Sequence, residues 1–475
     1  MSGLLWFLII LNAYVLLVYL AARTGLLARY NIGLLGPALM FRTQRGKGVI
    51  EWLSKARRFH IVAGGFGAAL TLLVMLGITA LLVIQVPALF EIPAERAPKA
   101  SEILALPGIN PLIPLTYGIV ALIVAIVIHE FAHGVLARAQ NMGVKSLGML
   151  YLIVPIGAFV EPDEEQLKAS PRHARMRVYA AGPTSNLASA LLFGLLFSGV
   201  FMAAAVPVAD GIGLNHITEN GPADQAGLEP GWIITHVNGT RVRSFDEFSA
   251  ALNVTRAGQN ITVRVAEHGD VALCLGDKSE AGNVTDLGPG YDFCQLATPR
   301  APDSDANATG DNGTVAPPAP PAKGFLGVEA YPLSPTRLRE LLVHPFSDLT
   351  GFVLYIALPF TGFTPMEAPL TDMFTVPVGD GAMATLWWVT ANIVYWIMWI
   401  SLMLGLTNAL PAVPLDGGYL FRDFVEGIIA KVRPALTEAR RAVWVKRTSV
   451  VVSFAILGLI LLQFIAPRLP KGLFG

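Results

Sequence analysis

His129-Glu130-Phe131-Ala132-His133 closes an uncharged apolar run, residues 112–128. A helix through that run delivers His129 and His133 to one face, one turn apart. Two neutral imidazoles at that spacing can bind zinc, and the Glu between them can serve as a general base beside it. Catalytic zinc takes a third protein ligand and keeps one position for water. A third His six residues on would complete one known pattern, but position 139 is Ala. The third ligand must come from elsewhere. Acidic residues within or beside membrane spans are rare and usually functional. Asp416 ends the uncharged run 382–415 in Asn408-Ala409-Leu410-Pro411-Ala412-Val413-Pro414-Leu415-Asp416-Gly417-Gly418, where prolines and glycines break a helix. It is the best candidate, although a Leu-Asp-Gly-Gly by itself is also a turn at a membrane exit.

These residues must be carried by helices in a bilayer. Hydrophobic residues make up 53% of the 475 and charged residues only 14%, too few charges for a large soluble protein. Uncharged runs of spanning length occur at 3–22, 61–86, 112–128, 178–208, 382–415 and 448–467. The fold class expected is a polytopic α-helical membrane protein of about six spans. The first run lacks a preceding basic residue and is long, so an uncleaved span is expected rather than a signal peptide. Net charge is zero, and nothing points to nucleic acid.

Basic residues set the orientation. Residues 23–60 hold Arg23, Arg29, Arg42, Arg45, Lys47, Lys55, Arg57 and Arg58 against Glu51 alone, and 138–177 and 416–447 hold six and seven Lys or Arg. All three fall on the cytoplasmic side if the N-terminus and C-terminus are outside. His129 and His133 then lie near the cytoplasmic face. Residues 349–366 are nearly long enough to span. They are read as interfacial or re-entrant, broken at Pro359, because Asp416 must share a side with His129.

Residues 209–348 are polar, strand-forming and turn-rich. A strand, a Gly-Pro turn, a short helix at Ala223–Ala226 and a strand ending in Asn238-Gly239 predict a compact α+β unit. Asn-x-Thr occurs at Asn238, Asn253, Asn260, Asn283, Asn307 and Asn312, which fits an extracytoplasmic surface. Cys274 and Cys294 are the only cysteines, and a disulfide there is compatible with an oxidising side.

Two resemblances follow. Gly221-Pro222-Ala223-Asp224-Gln225-Ala226-Gly227-Leu228, Pro230-Gly231-Trp232 and Val237-Asn238-Gly239 resemble a bacterial, circularly permuted PDZ domain spanning 210–332. An insert near 273–322 interrupts it, ending in a Pro/Ala-rich tract at 299–322 that reads as disordered linker. Gly324-Phe325-Leu326-Gly327-Val328 looks like that family's carboxylate-binding loop, which implies a peptide terminus or other partner. The chain as a whole resembles the site-2 protease family of intramembrane zinc metalloproteases. His129 to His133, Ala181-Gly182-Pro183-Thr184-Ser185-Asn186 and Asn408 to Gly418 carry the likeness, over residues 112–420.

The resemblance implies one zinc ion per chain on His129, His133 and Asp416, with Glu130 as general base and acid. Asn186 and Asn408 are implied near the substrate carbonyl or oxyanion; helix-to-helix hydrogen bonding is the alternative. Gly148 to Val160, apolar and β-prone, resembles the family's re-entrant β-hairpin, where an unwound substrate could add as a strand. Glu161, Asp163, Glu164 and Glu165 read as a solvated turn.

The organisation expected is therefore as follows. Residues 1–111 hold two peripheral helices with a basic loop, and 112–208 the first part of a catalytic core. Residues 209–348 hold the PDZ-like domain and 349–381 the interfacial segment. A core helix carrying Leu-Asp-Gly-Gly occupies 382–420, and a basic loop with the last span 421–475. The activity implied is cleavage of transmembrane segments of membrane proteins in regulated intramembrane proteolysis, with the lipid bilayer as setting. The alternatives are an inactive zinc-binding scaffold and a metal transporter.

Overall fold

The structure is a computed structural model. It describes the chain except residues 1–2, 31, 98, 100–101, 103–106, 153, 280–289, 298–321, 362 and 470–475. The chain divides into two compact units, Met1–Gly194 with Ile393–Gly475, and Leu195–Asn392.

The first unit is built on helices α1 (Gly3–Arg23), α2 (Arg57–Ile84), α3 (Leu115–Ala139), α4 (Arg172–Leu196, in this unit to Gly194), α5 (Ala382–Asn408, in this unit from Ile393), α6 (Asp416–Val432) and α7 (Glu438–Ile465). Among the described residues, five helices are long and apolar enough to cross a membrane: α2, α3, α4 with its continuation to Met202, α5, and α7 extended to Arg468. The protein is a polytopic helical membrane protein. Helices of this kind gain little from hydrophobic association in lipid, so close packing decides their contacts. Gly64 of α2 faces Leu136 of α3, and Gly67 faces Thr184 of α4 too closely for a Cβ. The Thr71 and Thr184 hydroxyls meet across the same seam at 3.1 Å.

A four-stranded antiparallel sheet lies in this unit: β1 (Ile32–Leu35), β2 (Ala38–Thr43), β3 (Val144–Leu152) and β4 (Val154–Pro162), in that order. The hairpin β3–β4 covers the segment read as β-prone. Leu39 of β2 pairs with Tyr151, and Thr43 with Leu147. The sheet corrects the expectation for 1–111, whose basic loop was given no strands. Short strands interrupted by Gly33, Gly36 and Pro37 leave little periodic signal, and β2 is held by pairing to β3. Asp163 caps a short helix, Glu164–Ala169, by accepting from the Glu165 and Gln166 amides.

Two boundaries also move. Helix α5 stops at Asn408 and Asp416 begins the separate helix α6, so Leu-Asp-Gly-Gly is not carried on one helix with residue 382. Pro411 and Pro414 cannot continue α5, and the turn they enforce lets α6 restart. The basic stretch from 421 is mostly helical, in α6 and the first turns of α7, with a short turn at 433–437 between them.

The second unit carries a sheet whose main path is β8 (Gly269–Cys274), β7 (Asn260–Val265), β6 (Ile233–Val237), β5 (Ile212–Ile217) and β9 (Val328–Ala330). Asn238 and Gly239 both take positive φ, 48° and 76°, as the two-residue hairpin turn after β6 requires. Ile212, Leu214, Ile234, Val263, Phe248 and Leu275 fill its core. The expected insert starts later than residue 273. Leu273 pairs with Ile261 in the sheet, Leu275 is fully buried, and Gly276–Asp277 pair with Gly324–Phe325. Most of the linker tract 299–322 lies outside the described residues. Cys274 and Cys294 are bonded through sulfur, with Cα atoms 5.1 Å apart. Residues 349–366 form a nine-residue helix, Leu349–Ala357, and a 3₁₀ turn at Leu358–Phe360 that contains Pro359. That is shorter than the roughly 20 residues a spanning helix needs.

One buried ion pair joins α4 to α6. Arg175 Nε and Nη2 lie 2.8 and 3.2 Å from the two oxygens of Asp423, whose side chain is 1% exposed. Asp423→Ala leaves Arg175, 17% exposed, with Glu426 at 3.1 Å as its remaining carboxylate, so the loss of the two shorter charged hydrogen bonds should destabilise the fold by about 1–3 kcal/mol. The double change Arg175→Met with Asp423→Leu should recover most of that loss. Thermal unfolding in detergent checks both.

Candidate metal centre

His129 and His133 sit on α3 with ring centroids 4.9 Å apart. Both are buried, at 6% and 9% residual exposure. Asp416, the first residue of α6, comes to them from 287 and 283 positions away. Its Oδ2 lies 2.9 Å from His129 Nε2 and 3.2 Å from His133 Nε2. A carboxylate is favoured at that position by the unpaired amides of the helix N-terminus. One ligand atom from each residue falls within 4.8 Å of the other two.

The far ring nitrogens report how the imidazoles are oriented. His133 Nδ1 donates to the Val178 carbonyl at 2.7 Å, which leaves Nε2 with a free lone pair on the Asp416 side. His129 Nδ1 faces the amide nitrogen of Asn186 at 3.0 Å, while Asn186 Oδ1 is buried without a hydrogen-bond partner. Turning that amide over exchanges the two atoms and places the oxygen at the imidazole. Oδ1 then accepts from a protonated Nδ1, and His129 Nε2 is freed as a ligand. Two neutral nitrogens and one carboxylate oxygen on a shared point suit zinc, and the orphaned Asn186 oxygen fits the same tautomer.

The helix facing α3 is shaped for the rings. A Cβ on Gly182 of α4 would collide with the imidazoles of both His129 and His133. Pro183 follows inside the helix. Gly417 and Gly418 are equally constrained, since side chains there would strike the Ala409 and Ala412 backbone. These two glycines let the 409–415 turn fold back on the start of α6 and bring Asp416 to the histidines.

Glu130 is partly buried and does not touch the three ligand candidates through a hydrogen bond. Its Oε2 accepts from the backbone amide of Val160 in β4, at 2.9 Å. The hairpin and the would-be base are therefore mechanically linked. Asn408 donates to the Leu404 carbonyl one turn back, a bond within its own helix. Gly324 to Gly327 lie in the second unit, where Leu326 and Gly327 carbonyls accept from Ala223 and Thr218 amides. Glu161 is engaged by Ser146 at 2.6 Å and Arg42 at 3.7 Å, away from any metal role. Sequence reasoning missed the Val178 carbonyl and the Val160 amide, which are backbone groups with no residue-type signal. The Gly182-Pro183 pair inside an apolar helix was a signal for the room the rings need.

The model of peptidase family M50 matches residues 117–455. The regulator of sigma-W protease RasP of Bacillus subtilis is 28% identical over 276 residues, which is 57% of this chain and 55% of that protein. The zinc metalloprotease RasP of Shouchella clausii is 25% identical over 281 residues, 58% of this chain and 56% of its own. A Methanocaldococcus jannaschii protein is 35% identical over 137 residues, 29% and 35% of the two chains. The matched parts thus span about half of the two RasP proteins and a third of the archaeal one.

Gly182→Ala should abolish stoichiometric zinc in the purified protein, because the added methyl displaces both rings. Asn186→Ala should weaken zinc by about 10- to 100-fold, the usual effect of losing a ligand's hydrogen-bond partner. Competition with a chromogenic chelator measures both.

Proposed function

This chain belongs to peptidase family M50, and from that premise we propose that it is a zinc endopeptidase cutting membrane proteins within or beside the bilayer. The observation that carries the reading is the meeting of His129, His133 and Asp416 at one point, with Glu130 next to the first ligand. A zinc ion bound there supplies a Lewis acid for the scissile carbonyl and lowers the pKa of a water toward about 7. Val178 and Asn186 hold the imidazoles with their Nε2 atoms turned inward. Glu130 takes a proton from the attacking water and returns it to the leaving amine. The bond from Glu130 to Val160 limits where that carboxylate can swing.

Strand β4 ends the sheet order, and a peptide bond inside a helix is shielded from attack. We assign β3–β4 as a re-entrant hairpin whose edge receives the unwound substrate by strand addition. Residues 209–348 are proposed as an extracytoplasmic PDZ-like domain. Its Cys274–Cys294 bridge supports an oxidising side, and the basic segments support a zinc site near the opposite, cytoplasmic face. Gly324 to Gly327 would form its carboxylate-binding loop, and Gly327 has the positive φ, 81°, that such a turn uses.

The substrates are transmembrane segments of membrane proteins, in regulated intramembrane proteolysis after a first cut has trimmed the outer domain. One relative is named as a regulator of sigma-W protease, which fits such a role.

Glu130→Gln should keep its zinc and lose cleavage of a transmembrane substrate by about 10²- to 10⁴-fold, the range expected for removing a general base. Zinc analysis and a detergent cleavage assay check it; equal cleavage by both proteins would sink the role of Glu130, and zinc with no cleavage by either would favour a scaffold. Deleting 210–332 should erase the preference for trimmed over full-length substrate. Unchanged selectivity would remove the domain from substrate choice.

A further inference from the structure

A groove of about 1240 Å³ runs along α7 from Glu438 to Ile460, facing α6 and the 410–415 turn. At 1.5 Å per residue this is about 33 Å of helix, close to the thickness of a bilayer core. It exceeds the ~300–1,000 Å³ of an ordinary small-ligand pocket. Its chemistry changes along its length. Phe454 and Leu457, 68% and 48% exposed, present apolar surface toward one end. Charged groups gather at the other.

Those charges do not all cancel. Arg175 is held by Asp423 and Glu426, Arg422 lies 3.8 Å from Asp423, and Lys168 pairs with Glu164. Arg441, Lys446 and Glu438 have no ion-pair partner among the described residues, which leaves two cations against one carboxylate. Two hydrogen-bond donors are also unmet. Arg441 Nε and Ser449 Oγ are buried with no hydrogen-bond partner, and Ser449 is only 6% exposed. Arg441, Val445 and Ser449 recur every fourth residue, so they share one face of α7. Unmatched buried donors of this kind ask for an acceptor. A cation, a second cation five residues on, a buried hydroxyl and then an apolar stripe is the order of a phospholipid's phosphate, glycerol esters and acyl chains.

We propose that this groove is a binding site for one phospholipid with a net anionic headgroup, its phosphate on Arg441 and Lys446 and its ester region at Ser449. The groove also reaches Pro414 and Leu415, the two residues before Asp416, so its occupant lies beside the turn that carries the metal ligand.

Native mass spectrometry of the full chain in detergent tests the site. Phosphatidylglycerol and phosphatidylcholine with identical acyl chains are supplied in equal amounts. One phosphatidylglycerol per chain should be retained in preference by about 30-fold, the combined attraction of two basic side chains for anionic lipid. Arg441→Gln with Lys446→Gln should bring the two lipids level while zinc content and thermal unfolding stay unchanged. Ser449→Ala should lower retention of both by a few-fold and leave the preference intact. Equal retention by the unaltered protein, or an undiminished preference in the double variant, overturns the proposal. Displacement of the lipid by millimolar inorganic phosphate would assign the site to a free anion, and a retained helical peptide would assign it to protein; either result overturns a lipid site. If the double variant does not fold, brominated phosphatidylglycerol should quench tryptophan emission of the unaltered protein more than brominated phosphatidylcholine does. Equal quenching would count against the site.

Discussion

A carboxylate and two imidazoles inside an apolar helical bundle are costly unless each has a partner. Here Asp416 Oδ2 lies 2.9 and 3.2 Å from the two Nε2 atoms, so that one cation can serve all three. That convergence is the constraint from which much of the first unit follows. Helix α3 must present one face, α4 must have no side chain at Gly182, and α6 must begin where Asp416 can reach both rings. Each condition is a packing condition, and glycine meets two of them by leaving room.

The same logic extends one layer outward. Imidazole is a useful ligand only in one tautomer, and the atom that sets it lies on the opposite side of the ring. The Val178 carbonyl sets His133, and the Asn186 amide sets His129. Both come from α4, the helix that also makes way for the rings. In the structure the Asn186 amide faces His129 Nδ1 at 3.0 Å. Asn408 is likewise occupied within its own helix.

Glu130 ties the centre to the sheet. Its bond to the Val160 amide makes the position of its carboxylate depend on strand β4, in a sheet whose β1 and β2 come from a stretch read only as a basic loop. The pairing of β2 with β3 could not be read from 32–43, because β1 and β2 there are only four and six residues long and are separated by Gly36 and Pro37. By contrast, the Asn238-Gly239 turn was legible at once, since few residue pairs accept positive φ at two consecutive positions.

The sequence by itself determined what is local and periodic. His129, Glu130 and His133 are set one turn apart by helix geometry, and the apolar runs mark the spans. The prolines and glycines around Asp416 mark a break. It also singled out Asp416 as a ligand candidate, but only by the rarity of acids in such places. The tertiary structure decided what depends on distance through space: that Asp416 meets the two rings, that α6 starts at Asp416, and that backbone groups from α4 and β4 hold His133 and Glu130. Backbone carbonyls and amides are the same for nearly every residue, so no spacing in the sequence distinguishes Val178 or Val160 until the chain has folded around the site.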